Sequence, residues 1–253
     1  MRIAVAGGTG AVGRHIVERA RAAGHDPVVL ARATGVDLVA GTGLADALAG
    51  ADAVIDVAAQ QAQSGAKSRA FFGAVTRNLL AAEVATGVRH HVALSIIGAT
   101  RAPHGYYAGK ALQEQLVEAA EVPWTLLRTT QFFEFPEQML HHTTFGPVAM
   151  IPAARSQPIA AREVAHRLIE LATDAPAGHA RDLAGPREER LADLARRWLA
   201  ASGRTTRVVE LPMPGGFGRA LRDGTVLPAP GAADLASETF DEWLATAVTP
   251  PRS

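Results

Sequence analysis

Three features of the sequence predict an α/β fold built on a doubly wound parallel sheet. They are short apolar runs without polar alternation, amphipathic stretches of helical period between them, and a glycine cluster where the first run meets the first helix. Ile3–Ala6 reads as the first buried strand. A helix follows from about Val12 to Ala23, with Ile16, Val17 and Ala20 on its inward face. Gly24-His25-Asp26-Pro27 ends it, and Val28-Val29-Leu30 is the second strand. Residues 38–48 hold a connection and a short helix, and Ala53–Val57 is the third strand. A long helix is predicted over 70–85, with Phe71, Val75, Leu79 and Leu80 on one face. Val92–Leu94, a helix over 108–120 and Thr125–Leu127 complete the alternation. Beyond Arg128 the rhythm loosens at Pro136, Pro147, Pro152 and Pro158; helices are expected near 162–173, 191–201 and 237–245, and loops over 211–218 and 227–231. This pattern divides the chain into a core of residues 1–130 and a smaller α/β lobe of residues 131–253 leaning on it.

Composition narrows the function. The 253 residues carry 25 basic and 25 acidic side chains, a balance without the basic excess of a nucleic-acid binder. With no cysteine there is no disulfide, thiolate nucleophile or thiolate metal site, so redox chemistry requires a borrowed cofactor. No apolar run reaches the ~18 residues of a membrane span, and Met1–Ala6 passes straight into glycines rather than into a secretion signal. A cytoplasmic protein with a small-molecule substrate is the expectation, with neither nucleic acid nor membrane as partner.

The glycine cluster Gly7-Gly8-Thr9-Gly10-Ala11-Val12-Gly13 lies between the first strand and the first helix. One glycine permits the tight turn, one lets backbone approach a diphosphate, and one lets helix pack close to strand; the anion then rests on free N–H groups at the positive helix end. Gly7, Thr9, Gly10, Ala11, Val12 and Gly13 are thus candidate contacts for a dinucleotide. An acidic residue at the end of the second strand would select NAD through the ribose 2′-hydroxyl. Arg32 stands there instead, and its guanidinium suits the 2′-phosphate of NADP, with Arg14 at the start of the helix as a second cation. NADP(H) is therefore favoured over NAD(H).

Only two residues are lysines, Lys67 and Lys110, and both tyrosines sit in Tyr106-Tyr107-Ala108-Gly109-Lys110. On a helix, positions 106 and 110 share a face one turn apart. A neighbouring ammonium lowers a phenol's pKa, fitting Tyr106 to protonate a carbonyl under reduction, while Lys110 also reaches ribose hydroxyls. Tyr107 is the alternative phenol, and a plain surface helix start is the alternative reading of the motif. Ser95 ends the fourth strand, at the sheet edge where ligands bind, and its hydroxyl either positions the same substrate oxygen or caps a loop.

These pieces together resemble a short-chain dehydrogenase/reductase of the atypical, NmrA-like or isoflavone-reductase-like branch. The similarity lies in GGTGAVGRHIV (7–17), VVLAR (28–32), AVIDVAA (53–59), HHVALSIIG (91–98), YYAGKALQEQLV (106–117) and PWTLLRTTQFFEF (123–135), and extends to QPIAAREVAHRLIELA (157–172) and LAGP (183–186). The resemblance implies a Rossmann-type core and an NADPH-dependent oxidoreductase acting on a carbonyl, quinone or enone of a small apolar or aromatic molecule. It equally covers relatives that sense NADP(H) without catalysis, and cofactor-bearing isomerases or cyclases. It implies Gly7, Gly10 and Gly13 on the diphosphate, Arg32 on the 2′-phosphate, Asp37 and Leu38 near adenine, and Ala58 and Ala59 beside the cofactor. Ser95, Tyr106 and Lys110 match the catalytic trio, and Thr129, Thr130, Gln131 and Phe132 the loop flanking the nicotinamide. Gln131, Phe132 and Phe133, with Phe135 and Met139 beyond them, are candidate walls of an apolar substrate pocket or simply packing residues. No metal site is expected: His90-His91 and His141-His142 lack helical ligand spacing with a carboxylate, and solvated or strand-edge positions suit them better.

Overall fold

The computed structural model describes residues 1–60 and 64–248. In chain order the elements are β1 (Arg2–Ala6), α1 (Ala11–Ala22), β2 (Asp26–Leu30), α2 (Leu44–Leu48), β3 (Ala53–Asp56), α3 (Gly65–Thr86), β4 (His90–Ile96), α4 (Tyr106–Glu118) and β5 (Trp124–Thr129). There follow α5 (Phe135–Thr143), β6 (Thr144–Phe145), β7 (Val148–Pro152), β8 (Arg155–Ser156), α6 (Ala161–Thr173) and β9 (Gly178–His179). The last are β10 (Asp182–Ala184), β11 (Glu189–Arg190), α7 (Leu191–Ala201), β12 (Arg207–Leu211), α8 (Gly215–Asp223), β13 (Ala233–Leu235) and α9 (Phe240–Ala247). They form two compact units: Met1–Thr129 with Ala161–Arg181, and Thr130–Ala160 with Asp182–Ser253. The segment Ala161–Arg181, expected in the second lobe, groups with the first because α6 packs on α1 and on the sheet.

In the first unit the strands lie side by side in the order β2-β1-β3-β4-β5-β9, all parallel. Helices α1 and α6 pack together on one face; α2, α3 and α4 form a continuous layer on the other. Covered on both sides, the strands have no solvent face to alternate toward, and Ile3 through Ala6 are wholly buried. The doubly wound Rossmann-type architecture is therefore present. The chain leaves β1 for β2 on one side and returns as β3 on the other, which opens a crevice at the carboxyl ends of β1 and β3.

Three readings are corrected. The buried face of α3 carries Phe72, Val75, Thr76, Leu79 and Glu83, with Phe71 only partly covered, because α4 packs along the helix and shifts the covered stripe by a residue. Residues 135–143 form a helix, with Pro136 in its first turn, where the missing N–H costs nothing. The stretch 211–218 is not all loop, since α8 starts at Gly215.

The second unit has a three-stranded sheet, β12-β7-β6, a two-stranded sheet, β8-β11, and the strand β10 paired in parallel with β13. Its core gathers Phe133, Leu140, Ile151, Leu194, Trp198, Phe240 and Trp243. Leu191, Leu194, Ala195, Trp198 and Leu199 on α7 follow the helical period and face that core. Among the described residues no helix is long and apolar enough to cross a membrane.

Candidate functional site

The glycine loop joins β1 to α1 at the crevice. Gly7 takes a left-handed φ of 82°, and a Cβ there would lie 2.8 Å from the Val57 carbonyl oxygen and 2.9 Å from the Ala58 Cα. At Gly13 a Cβ would fall 2.1 Å from the Gly7 carbonyl oxygen, so only glycine lets the helix start so close under the loop. A Cβ on Gly10 would touch nothing but that same oxygen, at 3.2 Å, and Thr9 and Gly10 are exposed. No side chain caps α1 and no acidic residue stands in its first turn. Its leading N–H groups are thus left for an anion from outside the helix, and the cradle fits a diphosphate. Arg14 is exposed and Ala11 half-buried on this turn, whereas Val12 faces inward.

At the end of β2, Arg32 opens a short turn of Arg32–Thr34 and is exposed. With Gly35, Val36, Asp37, Ala40 and Thr42 it lines a hollow of about 270 Å³. The Asp37 carboxylate accepts from the N–H groups of Val39 (2.9 Å) and Ala40 (3.0 Å). These bonds, that of Ala40 foremost, and the charge of Arg32 hold its pKa below the usual carboxylate range. Leu38, expected beside Asp37 as a ligand contact, instead packs against the core of the unit, and Asn78 fixes its carbonyl. At the end of β3, Ala58 is buried against Gly7 and Ala59 is exposed.

Tyr106 sits in the first turn of α4, half-buried, and Lys110 one turn later is only 3% exposed. Gly109 sets their surroundings. A Cβ there would fall 2.2 Å from Ser68 Oγ and 2.4 Å from the Phe72 ring, so its absence lets α4 close on α3. Ser68 Oγ then donates to the Tyr106 carbonyl at 2.9 Å. The Phe72 ring meets Tyr106 edge-on at 5.4 Å and lies 4.4 Å from Lys110 Nζ.

The electrostatics correct the expectation that Lys110 acidifies Tyr106. Burial, with the nearby charges of Tyr107 and Asp56, pushes the Tyr106 phenol well above its ordinary value. Burial also lowers the Lys110 ammonium to about 8, against the opposing pull of Asp56 and Glu114. The ammonium donates to the Leu94 carbonyl (2.7 Å) and to Gln113 Oε1 (2.8 Å). Ser95 departs from expectation as well. Its hydroxyl is 3% exposed and donates to Glu114 Oε1 at 2.5 Å, so it is turned inward rather than toward a ligand. Glu114 in turn accepts from Arg128 through both oxygens, at 2.7–3.1 Å.

The sequence reading passed over Asp56, Phe72, Gln113, Glu114 and Arg128. A signal existed for Asp56, because a carboxylate in a strand covered on both faces needs a partner. Gln113 and Glu114 stand three and four residues beyond Lys110, the spacing at which helical side chains meet.

The remaining candidates lie elsewhere. Thr129 is buried at the end of β5, its carbonyl accepting from the Ile97 N–H at 2.9 Å. In the second unit Thr130 is buried, and Gln131 Oε1 accepts from Ser156 Oγ at 3.3 Å while Phe132 bridges to Ile159. Phe133 is a core residue and not a pocket wall, since its ring packs 5.6 Å from both Phe240 and Trp243. The cavity it borders, about 10 Å³, holds no more than a water. His90 and His91 point to opposite faces of β4, as strand alternation requires, but both are buried rather than solvated. His90 meets Thr125 Oγ1 and His91 meets Glu83 Oε1, each at 2.8 Å.

A family model described as NAD(P)H-binding matches residues 7–175. The chain belongs to the NAD(P)H-binding family. No curated protein is significantly similar in sequence. Among solved structures, a short-chain dehydrogenase/reductase superfamily protein of Agrobacterium tumefaciens with bound NAD is 21% identical (TM-score 0.66), over 98% of this chain and 96% of that one. UDP-glucose 4-epimerase of Thermus thermophilus in complex with NAD is 19% identical (TM-score 0.68), over 100% and 95%. A dTDP-4-dehydrorhamnose reductase of Clostridium acetobutylicum is 15% identical (TM-score 0.67), over 83% and 84%. The chain shares the fold of these three proteins, and its glycine cradle lies where β1 meets α1.

Proposed function

We propose that this chain is a cytoplasmic NADPH-dependent reductase acting on a carbonyl, quinone or enone of a small apolar or aromatic molecule. The observation that carries the reading is Tyr106. Its phenol is half-buried at the start of α4, shares the Phe72 ring with Lys110, and keeps its proton far above neutral pH. When bound, the reduced nicotinamide supplies the hydride. Tyr106 Oη gives its proton to the oxygen that gains charge as the carbon is reduced, and regains one from solvent. The alkoxide formed from an aldehyde or ketone is far more basic than a phenolate, so a phenol of raised pKa still transfers its proton to it.

The preference for NADPH rests on Arg32, exposed at the rim of the hollow with no carboxylate at the strand end to claim a ribose hydroxyl.

Two measurements test this reading. NADPH oxidation across a panel of quinones, enones and aromatic ketones should yield at least one substrate, and Tyr106→Phe should cut its turnover about 100-fold or more with cofactor affinity kept. Turnover undiminished in that variant removes Tyr106 from the chemistry. Arg32→Ala should weaken NADPH binding about tenfold or more and leave NADH binding unchanged, as for a lost charged hydrogen bond; an unaltered ratio overturns the preference.

A second reading, a non-catalytic NADP(H) sensor, is favoured by the inward commitments of Ser95 and Lys110. It predicts no turnover across the panel together with widely different affinities for NADPH and NADP⁺. Neighbours named as epimerases support a third, an isomerase without net redox.

A further inference from the structure

We infer that Asp56 and Gln113 are positioning residues that fix Lys110 in place as the cation of this site, a role resting on the cofactor-binding reading above. The three side chains form one buried chain of hydrogen bonds. The Ala58 N–H donates to Asp56 Oδ1 at 3.0 Å, and Gln113 Nε2 donates to Asp56 Oδ2 at 2.8 Å. Lys110 Nζ donates to Gln113 Oε1 at 2.8 Å. Asp56 and Gln113 are fully buried, so no water competes for these groups.

The direction of this chain is dictated by chemistry. A carboxylate only accepts, so Asp56 forces the Gln113 amide to present its nitrogen on that side and its oxygen to Lys110. An ammonium only donates, and the oxygen is what it requires. Asp56 therefore does two things for a lysine it does not touch: it supplies a countercharge, and it orients the amide that holds it. The same carboxylate pins Ala58, the residue against which Gly7 of the diphosphate loop is seated, so cradle and cation share one anchor.

Other groups around Lys110 are accounted for. Glu114 and Tyr106 come from its own helix, Phe72 from α3 and the Leu94 carbonyl from β4; Arg128 on β5 is bound to Glu114, and His91 turns to Glu83. Asp56 and Glu114 are the two anions that act on Lys110, and Glu114 already has Arg128.

The polarity argument makes an isosteric substitution informative. In Asp56→Asn the Ala58 N–H claims the new amide oxygen, and the amide nitrogen faces Gln113. Gln113 must then turn its oxygen to that nitrogen, which sets its own N–H₂ against the ammonium. Adding Gln113→Glu restores an acceptor on both sides and returns the carboxylate one residue closer to Lys110.

The chain has only Lys67 and Lys110, and Lys67 is exposed, so ¹³Cε-lysine NMR with Lys67→Arg for assignment reads Lys110 alone. Its titration midpoint should fall by about one pH unit or more in Asp56→Asn and recover in the double variant. NADPH affinity, followed by nicotinamide fluorescence between pH 7 and 9, should fall and recover in parallel. Gln113→Met, which deletes the relay but keeps Asp56, should lower the midpoint too, and it decides the matter if the double variant does not fold. An unshifted midpoint in Asp56→Asn and Gln113→Met overturns the inference, as does a folded double variant without recovery. Wild-type protein that binds no NADPH overturns the functional reading instead, and the lysine titration still decides the positioning role.

Discussion

Two buried titratable groups on the sheet's α3/α4 side respond to pH with opposite sign. His91 and Glu83 are both fully inaccessible and joined at 2.8 Å. Burial disfavours the imidazolium, but the charge of Glu83, its hydrogen bond and the charge of Asp56 prevail and hold the His91 pKa above its ordinary value. A raised pKa means that the folded state binds the proton more tightly, so this stabilisation is fully present below about pH 6.5 and is lost as pH rises through the folded value. Lys110 runs the other way. Its pKa of about 8 lies below the 10.5 of a free lysine, so the unfolded chain holds more protons between those values and stability gains as pH rises across them. Urea unfolding should therefore show a decline as pH rises above about 6.5 that Glu83→Gln abolishes, at a cost of about 1–3 kcal/mol at pH 6. A variant that keeps the decline places its origin elsewhere.

At the scale of elements, the approach of α4 to α3 is what brings Tyr106 and Lys110 to the same aromatic ring. Gly109→Ala inserts a methyl 2.2 Å from Ser68 Oγ and 2.4 Å from the Phe72 ring, contacts that require the helices to separate. The expected cost is about 1–3 kcal/mol of overpacking, read by urea unfolding. Any panel activity should fall further than Tyr106→Phe alone explains, because Lys110 moves with the helix. Unchanged stability would show that the helices part without strain. The motif around this glycine was legible in sequence as a tyrosine and a lysine on one helix face, and the glycine loop was legible in its strand–helix context. What period and spacing do not encode is which polar groups are buried. Ser95, Glu114 and Arg128 read as unrelated residues on β4, α4 and β5, and only the packing of those elements makes them partners. Phe133 misled for the same reason, since an aromatic near a strand end looks alike in a pocket and in a core. The alternation of the first 130 residues, by contrast, reflects a sheet covered on both faces, and that constraint is written in every strand.

The whole chain does not divide where its sequence rhythm changes. Residues 1–130 contain the glycine loop, the hollow and α4, and the pattern invites their treatment as a free-standing nucleotide-binding domain. The first unit nevertheless takes in Ala161–Arg181, and α6 covers β3, β4 and β5 on the face it shares with α1. Val164, Ala165, Leu168, Ile169 and Ala172 on that helix are buried at helical spacing. A chain cut after residue 130 uncovers the apolar face of three adjacent strands, and at about 25 cal/mol per Å² that exposure rivals the whole stability of a small domain. Expressed alone, residues 1–130 should collect in the insoluble fraction, or show far-UV circular dichroism without a cooperative melt. Residues 1–181, which restore α6 and β9, should regain a cooperative transition even with the second unit incomplete. A soluble, cooperatively melting 1–130 fragment that binds NADPH with the affinity of the full chain would return the boundary to the place the sequence suggests and reduce α6 to an accessory cover.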